Sequence, residues 1–296
     1  MRGRHPGHSL WNALMLICVG CVLIAIGLSF GGHWAAARYL PWEWDRVGHG
    51  RSWDGGKDET ITPVEETSGT IPSGVKRLEM ELKAASLVIK SGESFSYRTI
   101  GMDGRTFEVT GSGDSFRLEE QGWRHFFSLG EDFTQRTVEI TIPAGMRLEG
   151  CNIQVGAGKV TIDGLDVDRF RIESGAGVID ATDVNASDAL VKTGAGSIRF
   201  KDCSFTDANF ETGAGRIEYR GRLLGRSRVS TGAGSVELAL DGSEDDYRID
   251  YARGIGSVKV NGSEFNGVGD GQAGNRDADR ELRIETGVGS VQIRFD

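Results

Sequence analysis

The chain is 296 residues long, with 44 glycines, only 5 prolines and a formal charge of −9. Three arginines and no acid in the first 40 residues leave a formal −12 on residues 41–296, a balance that disfavours nucleic acid or anionic lipid as a partner of the body. Glycine recurs at fixed places rather than in tracts, which argues against a low-complexity chain.

Residues 1–9 carry Arg2 and Arg4, and Leu10 to Phe30, "LWNALMLICVGCVLIAIGLSF", is a charge-free apolar run long enough to cross a bilayer as one helix. Basic residues before it and acids after it predict a short cytoplasmic tail (1–9), a transmembrane helix (10–30) and an extracytoplasmic body. A cleaved signal peptide is the competing reading, because "WAAAR" at Trp34 to Arg38 offers a small-residue cleavage site. Cys18 and Cys21 form a CxxC inside the run, without a second pair or histidine partner, and read as membrane-compatible side chains. Residues 31–70, rich in Gly, Ser, Thr and acids, read as a linker, with Trp34, Tyr39, Trp42 and Trp44 as an interfacial aromatic belt.

From residue 71 the pattern becomes one of strands. "LEMELKAASLVIKSG" from Leu78 to Gly92 resembles a diverged copy of the repeat that follows, with Ala84 at its centre and Leu87 and Ile89 facing a core. Residues 93–142 interrupt the series as an inserted cap, "TFEVTGSGDSFRLEE" reading as a hairpin and "TVEITIP" as a strand.

Gly-Ala-Gly then begins at Gly156, Gly175, Gly194, Gly213 and Gly232, a period of 19 residues. Looser copies, Gly-Ile-Gly at Gly254 and Gly-Val-Gly at Gly287, follow at spacings of 22 and 33, with residues 261–280 as a loop insertion. Three residues before the first glycine stand Ile153, Ile172, Val191, Phe210, Val229, Tyr251 and Ile284. Four after it stand Val160, Ile179, Ile198, Ile217, Val236, Val258 and Val291, and six after it Ile162, Ala181, Phe200, Tyr219, Leu238, Val260 and Ile293. Apolar residues alternating with polar ones mark half-buried strands, and no helical pattern exists to cover a sheet.

A 19-residue unit cannot bury a core alone, so the coils must stack. The expected fold is all-β: a parallel β-solenoid (β-helix) over residues 71–296, of about seven or eight coils with 19-residue repeats. The turn glycines are Gly156, Gly158, Gly175, Gly177, Gly194, Gly196, Gly213, Gly215, Gly232, Gly234, Gly254, Gly256, Gly287 and Gly289, placed where every coil bends. Their central alanines, Ala157 to Ala233, are expected to form an inward ladder. Glu173, Lys192 and Glu211, and likewise Asp180, Arg199 and Glu218, would set opposite charges on adjacent rungs. The phosphate-loop look of "GAGK" at Gly156 to Lys159 dissolves, since such a loop occurs once, before a helix, and not five times without one.

Chemistry is sparse. All five histidines (His5, His8, His33, His49 and His125) fall outside the repeats, and no G-x-S-x-G elbow is present. The acid-rich turns Asp163 to Asp168 and Asp241 to Asp246 fit no calcium-loop spacing and read as solvated turns. Cys151 and Cys203 fall on core positions two rungs apart, which disfavours a disulfide. Thr193, Thr212 and Thr231 form a threonine column before the glycines, a weak signal for an ice-binding face. No catalytic residue, cofactor or metal site is expected.

"RLEMELKAASLVIKSG", "VEITIPAGMRLEGCNIQVGAGKVTI" and the serial "TGAGSI" units resemble the bacterial "putative adhesin" family, a β-strand-repeat domain of unknown function, over about Ile71 to Asp296. The resemblance implies a membrane-anchored extracytoplasmic solenoid, in some relatives associated with envelope stress, and brings no catalytic residues. The expectation is a non-enzymatic, single-pass cell-membrane protein: an adhesin-like binder of cell wall or protein, or an envelope scaffold. The rival is a cell-surface polysaccharide lyase or hydrolase. Self-association through an uncovered last coil, after "SVQIRF", is a further expectation.

Overall fold

A computed structural model describes residues 66–102, 107–121, 136–266 and 268–296. The expected membrane span, the Cys18/Cys21 pair and all five histidines lie outside the described residues. Among the described residues no helix is long and apolar enough to cross a membrane.

The described chain is all β apart from one 3-10 turn at Glu244–Asp246. The strands are β1 (Glu66–Thr70), β2 (Arg77–Ala84), β3 (Ser86–Gly92), β4 (Ser96–Ile100), β5 (Phe107–Ser112), β6 (Ser115–Glu120) and β7 (Thr137–Pro143). Then come β8 (Arg147–Thr206), β9 (Ala208–Leu224), β10 (Arg226–Leu240), β11 (Tyr247–Val260), β12 (Ser263–Asn266), β13 (Gly269–Gly274) and β14 (Arg280–Phe295). The 60-residue β8 is no single straight strand: its copies of the repeat lie over one another, each Gly-Ala-Gly against the one 19 residues before it.

Parallel register follows the repeat. Phe210 pairs with Val191 and with Val229, and Ala214 with Ala195 and with Ala233. All three apolar columns are buried, from Ile153 to Ile284, Val160 to Val291 and Ile162 to Ile293. Each rung also buries a third side, as with Leu165 and Val167, Val184 and Ala186, and Cys203 and Phe205. The bend before that side uses left-handed backbone at Gly164 (φ +78°), Asp183 (φ +53°) and Asp202 (φ +54°), a conformation glycine and aspartate tolerate best. Midway along the stack Phe200, Phe205, Phe210 and Tyr219 interlock at ring separations of 5.1–6.2 Å. The Tyr219 hydroxyl lies 2.9 Å from the Cys203 carbonyl and 2.7 Å from that of Arg222, so the buried phenol keeps a partner for its proton.

Stacking order departs from sequence order at both ends. β14 does not follow β11. It lies between β10 and β11, with Val288 opposite both Ala233 and Ile255. The last coil in the sequence is therefore covered on both sides, which corrects the expectation of an open rung after "SVQIRF". At the other end the β2/β3 rung, with Ala84 opposite Ala157 and Leu87 opposite Val160, lies between β8 and a rung made of β6 and β7. The long spacings give the chain room to skip one layer and come back.

The end rungs carry antiparallel strands. β12 and β13 pair with β11, so residues 261–280 hold two short strands rather than a bare loop. β5 pairs with β6 and β4 with β7, while β1, from the segment read as linker, pairs with β4. β1 is polar and lacks alternation, so its strand character depends on β4 and on the pairing of Arg98 with Glu66 at 2.7 Å.

Where β6 and β7 lack a Gly-Ala-Gly corner, Glu120 substitutes for it. One carboxylate oxygen accepts from the backbone N–H groups of Lys83 (2.7 Å) and Ala84 (3.3 Å), and the other meets Arg136 at 2.7 Å. Donors that a further corner would satisfy are thus held by a buried carboxylate.

Candidate binding groove along the glycine corners

Every repeat bends at Gly-x-Gly, and the two glycines are required for different reasons. At the second, φ is strongly positive, as at Gly196 (+134°) and Gly215 (+145°). At the first, a Cβ on Gly194 would sit 2.6 Å from the carbonyl oxygen of Gly175 one rung away. The first position is held by the close approach of rungs, the second by that approach and by backbone angle. The same geometry runs from Gly156 and Gly158 to Gly287 and Gly289, with Gly254 and Gly256 on the end rung.

The middle residue of each bend faces outward, contrary to the inward alanine ladder expected from sequence. Ala157, Ala176, Ala195 and Ala214 are half-buried, and on the last rungs Val288 and Ile255 are 52% and 69% exposed. The threonine column points inward instead: Thr193, Thr212, Thr231 and Thr286 are buried, with Ser174 in the same row. That removes the ice-binding face. The Thr193 hydroxyl donates to the Ala195 carbonyl at 3.3 Å, whereas those of Ser174, Thr212, Thr231 and Thr286 have no hydrogen-bond partner.

Glycine at the first corner position leaves a trough. An open groove of about 1010 Å³ follows this column across the rungs, its rim formed by Gln154, Glu173, Lys192, Glu211 and Ser230, each two before a corner glycine, and beyond them by Glu81 and Glu119 on adjacent rungs. A smaller hollow of about 420 Å³ continues it past Thr231 and Glu285 to the end rung. Lys192 pairs with Glu211 at 3.1 Å, Asn209 donates to Glu211 at 2.9 Å, and Arg117 holds Glu81 at 3.3 Å. Glu173 has no ion pair among the described residues. Only one link of the expected Glu173–Lys192–Glu211 ladder is thus made. In the second ladder Asp180 bridges Arg199 and Lys159, each at 3.4 Å, while Glu218 turns to Arg216 in its own rung.

Burial pushes the thiol of Cys151 up to about 12 and that of Cys203 up to about 11, so neither is a nucleophile, and both are free. Burial pushes the Glu285 carboxyl up, but hydrogen bonds from Arg228 and Arg283 outweigh it and hold the group below the usual carboxylate range. Among the described residues no three His, Cys, Asp or Glu side chains gather as a metal site. Asp166 and Asp168, from one acid-rich turn, accept from Asn185 (3.0 Å) and Arg147 (2.8 Å). In the other, Asp246 accepts from the Ser243 backbone at 2.9 Å. Of the groove carboxylates Glu173 is exposed and Glu81, Glu211 and Glu285 are half-buried.

Fold and groove together define a repeat-built parallel β-solenoid that offers a long polar surface. The chain belongs to the Toastrack DUF4097 family, which it matches over residues 75–294. Solved structures to which it is similar include three bacterial proteins. One is a putative cell adhesion protein from Clostridium sporogenes ATCC 15579, at 15% identity, covering 79% of this chain and 100% of that one, with a TM-score of 0.39. A putative adhesin from Bacteroides fragilis NCTC 9343 has 16% identity, coverage of 79% and 98%, and a TM-score of 0.49. The third, a putative adhesin from Parabacteroides distasonis ATCC 8503, has 9% identity, coverage of 78% and 97%, and a TM-score of 0.40. No curated protein matches the chain.

Proposed function

We propose that the protein is a non-enzymatic surface module, anchored in the cell membrane by Leu10 to Phe30, whose extracytoplasmic solenoid binds or organises envelope material in the manner of an adhesin. The observation that carries this reading is the groove: a polar rim that continues across successive rungs of the stack, with both described cysteines sunk in the core and free. A catalytic site gathers its groups at one spot, whereas this rim spreads polar groups along the length of the stack. The apolar run, with arginines before it and acids after it, supports the anchor and the outward-facing body. Self-association would use the edges of β1, β5, β12 or β13 that are unpaired among the described residues, rather than β14.

Fractionation of cells making the full chain tests the reading. The protein should stay with the membrane at high salt and alkaline pH, be digested by external protease, and retain cell-wall material or an envelope protein in a pull-down. Release at alkaline pH without cleavage would remove the anchor. Protection from external protease would remove the surface role.

A further inference from the structure

Apolar surface and unpaired backbone coincide at one end of the stack. Among the described residues the exposed large hydrophobic side chains are Val109, Ile255, Val268 and Val288, and the last three share the corner of the end rungs. Val288 lies beside Ile255 across the pairing of β14 with β11. β12 ends with Asn266 opposite Ser257 and β13 starts with Gly269 opposite Arg253, so the link that carries Val268, 76% exposed, crosses the same corner one layer further out. Neither β12 nor β13 has a second strand partner among the described residues, and neither contains the lysine or proline that commonly blunts an edge. β1, through which the chain leads back to residue 65, is paired at the opposite end of the stack.

We propose that this end binds a second copy of the chain, end to end, about a two-fold axis through Val268. The inference makes specific the self-association named above. Such an axis, perpendicular to the stack, carries β12 of one copy over β13 of the other, and β13 over β12. β12 runs toward the corner and β13 away from it, so both pairings are antiparallel and form together. Parity sets the register. Phe265, opposite the buried Val258, and Gly271, opposite the buried Tyr251, are both on the inward side, and an axis at Val268 places Phe265 of one copy across from Gly271 of the other. An aromatic residue opposite an edge glycine covers the backbone that the glycine leaves bare. The same register puts Glu264 opposite Gln272 and Asp270 opposite Asn266, so no carboxylate falls opposite another across the interface. At the axis Val268 and Ile255 of each copy lose their exposure to water, with Val288 at the rim. Exposed Glu264 and Asp270 beside the corner disfavour an anionic lipid surface as its occupant.

Sedimentation of the full chain in detergent, in a variant lacking Cys18 and Cys21 and over about 1 μM to 1 mM, tests the proposal. Two short strand pairings and one corner make a contact at the small end of the range for specific complexes, so a dimer should form and dissociate within these concentrations. Val268→Asp should weaken it by about tenfold or more while leaving the unfolding midpoint unchanged. Val109→Asp, at the other end of the stack, should leave it intact. Val268→Cys should link to its own copy under mild oxidation, because position 268 lies on the axis, and Lys201→Cys should not. Chains carrying Glu264→Cys and chains carrying Gln272→Cys should cross-link to each other in preference to themselves. A dimer that survives Val268→Asp, or that gives no Val268→Cys link, would overturn the proposal. A chain that stays monomeric throughout, with envelope material still retained in the pull-down, would overturn it and leave the surface-binding reading standing.

Discussion

Replacing Gly196 by alanine should be among the most damaging single-methyl changes in the molecule. Its φ of +134° is one that L-residues rarely adopt, and an added Cβ would lie 1.8 Å from the carbonyl oxygen of Gly177. Strain from the backbone angle is about 1–3 kcal/mol. Relief of the clash requires the rungs to separate, which weakens two or more ladder hydrogen bonds worth about 1 kcal/mol each. The sum is about 3–5 kcal/mol, and at roughly 2–4 °C per kcal/mol for a body of this size the midpoint should fall by about 10 °C. Gly194→Ala keeps an ordinary backbone angle and meets the Gly175 oxygen at 2.6 Å, so it should cost less, about 1–3 kcal/mol of overpacking. Ala195→Ser, on the outward bend, should cost almost nothing. Thermal and urea unfolding of the three variants, with hydrogen exchange at the flanking rungs, measures the series. A Gly196→Ala variant no less stable than Ala195→Ser would refute the close-packed corner.

Glu120→Ala should cost about 3–5 kcal/mol, because it strands Arg136 and two backbone donors in the core; Glu120→Gln, which still accepts hydrogen bonds, should cost less in the same unfolding assay. The lowered carboxyl of Glu285 adds stability at and above the usual carboxylate range, lost as pH falls through its lowered value. Glu285→Gln should therefore flatten part of the acid limb of a stability–pH profile while leaving its neutral-to-basic shape alone. In a variant lacking Cys18 and Cys21, the thiols Cys151 and Cys203 should resist a disulfide reagent at pH 8 until the protein unfolds, and rapid native labelling of either would contradict their burial. Deleting residues 280–296 should expose both β10 and β11 to hydrogen exchange, whereas stacking in sequence order would leave β10 protected.

The rung itself was legible in the sequence. A strict 19-residue period fixed the three apolar columns, and the buried positions from Ile153 to Ile293 match them. Even the diverged copy at Ala84 aligned correctly, since Leu87 and Ile89 keep the alternation. The order of the end rungs was not legible, because a shared pattern sets which residues lie side by side but not which copy lies on which. The long spacings before Gly254 and Gly287 showed only that extra chain had to go somewhere. At the corner, alternation changes phase: inward residues stand at odd offsets before the glycines and at even offsets after them, so the middle residue belongs to neither strand and faces out. The threonine row shares its parity with Ile172 and Val191, so its burial could have been read. Glu120 gave no such signal, for its role follows from a missing corner that only the stacked arrangement reveals. The groove was hidden for a related reason: it is a row of absent side chains, visible only once the rungs are placed together.

The central claim is that the solenoid binds envelope polymer and does not transform it. Incubation of the purified full chain with isolated cell-wall material, measuring both the protein retained and the soluble sugar released, tests this directly. Retention that saturates, with no product above the level of a protein-free control, is the predicted result. Release of oligosaccharides that grows with time and is abolished by replacing one groove carboxylate would contradict it and place the protein among the polysaccharide-cleaving enzymes.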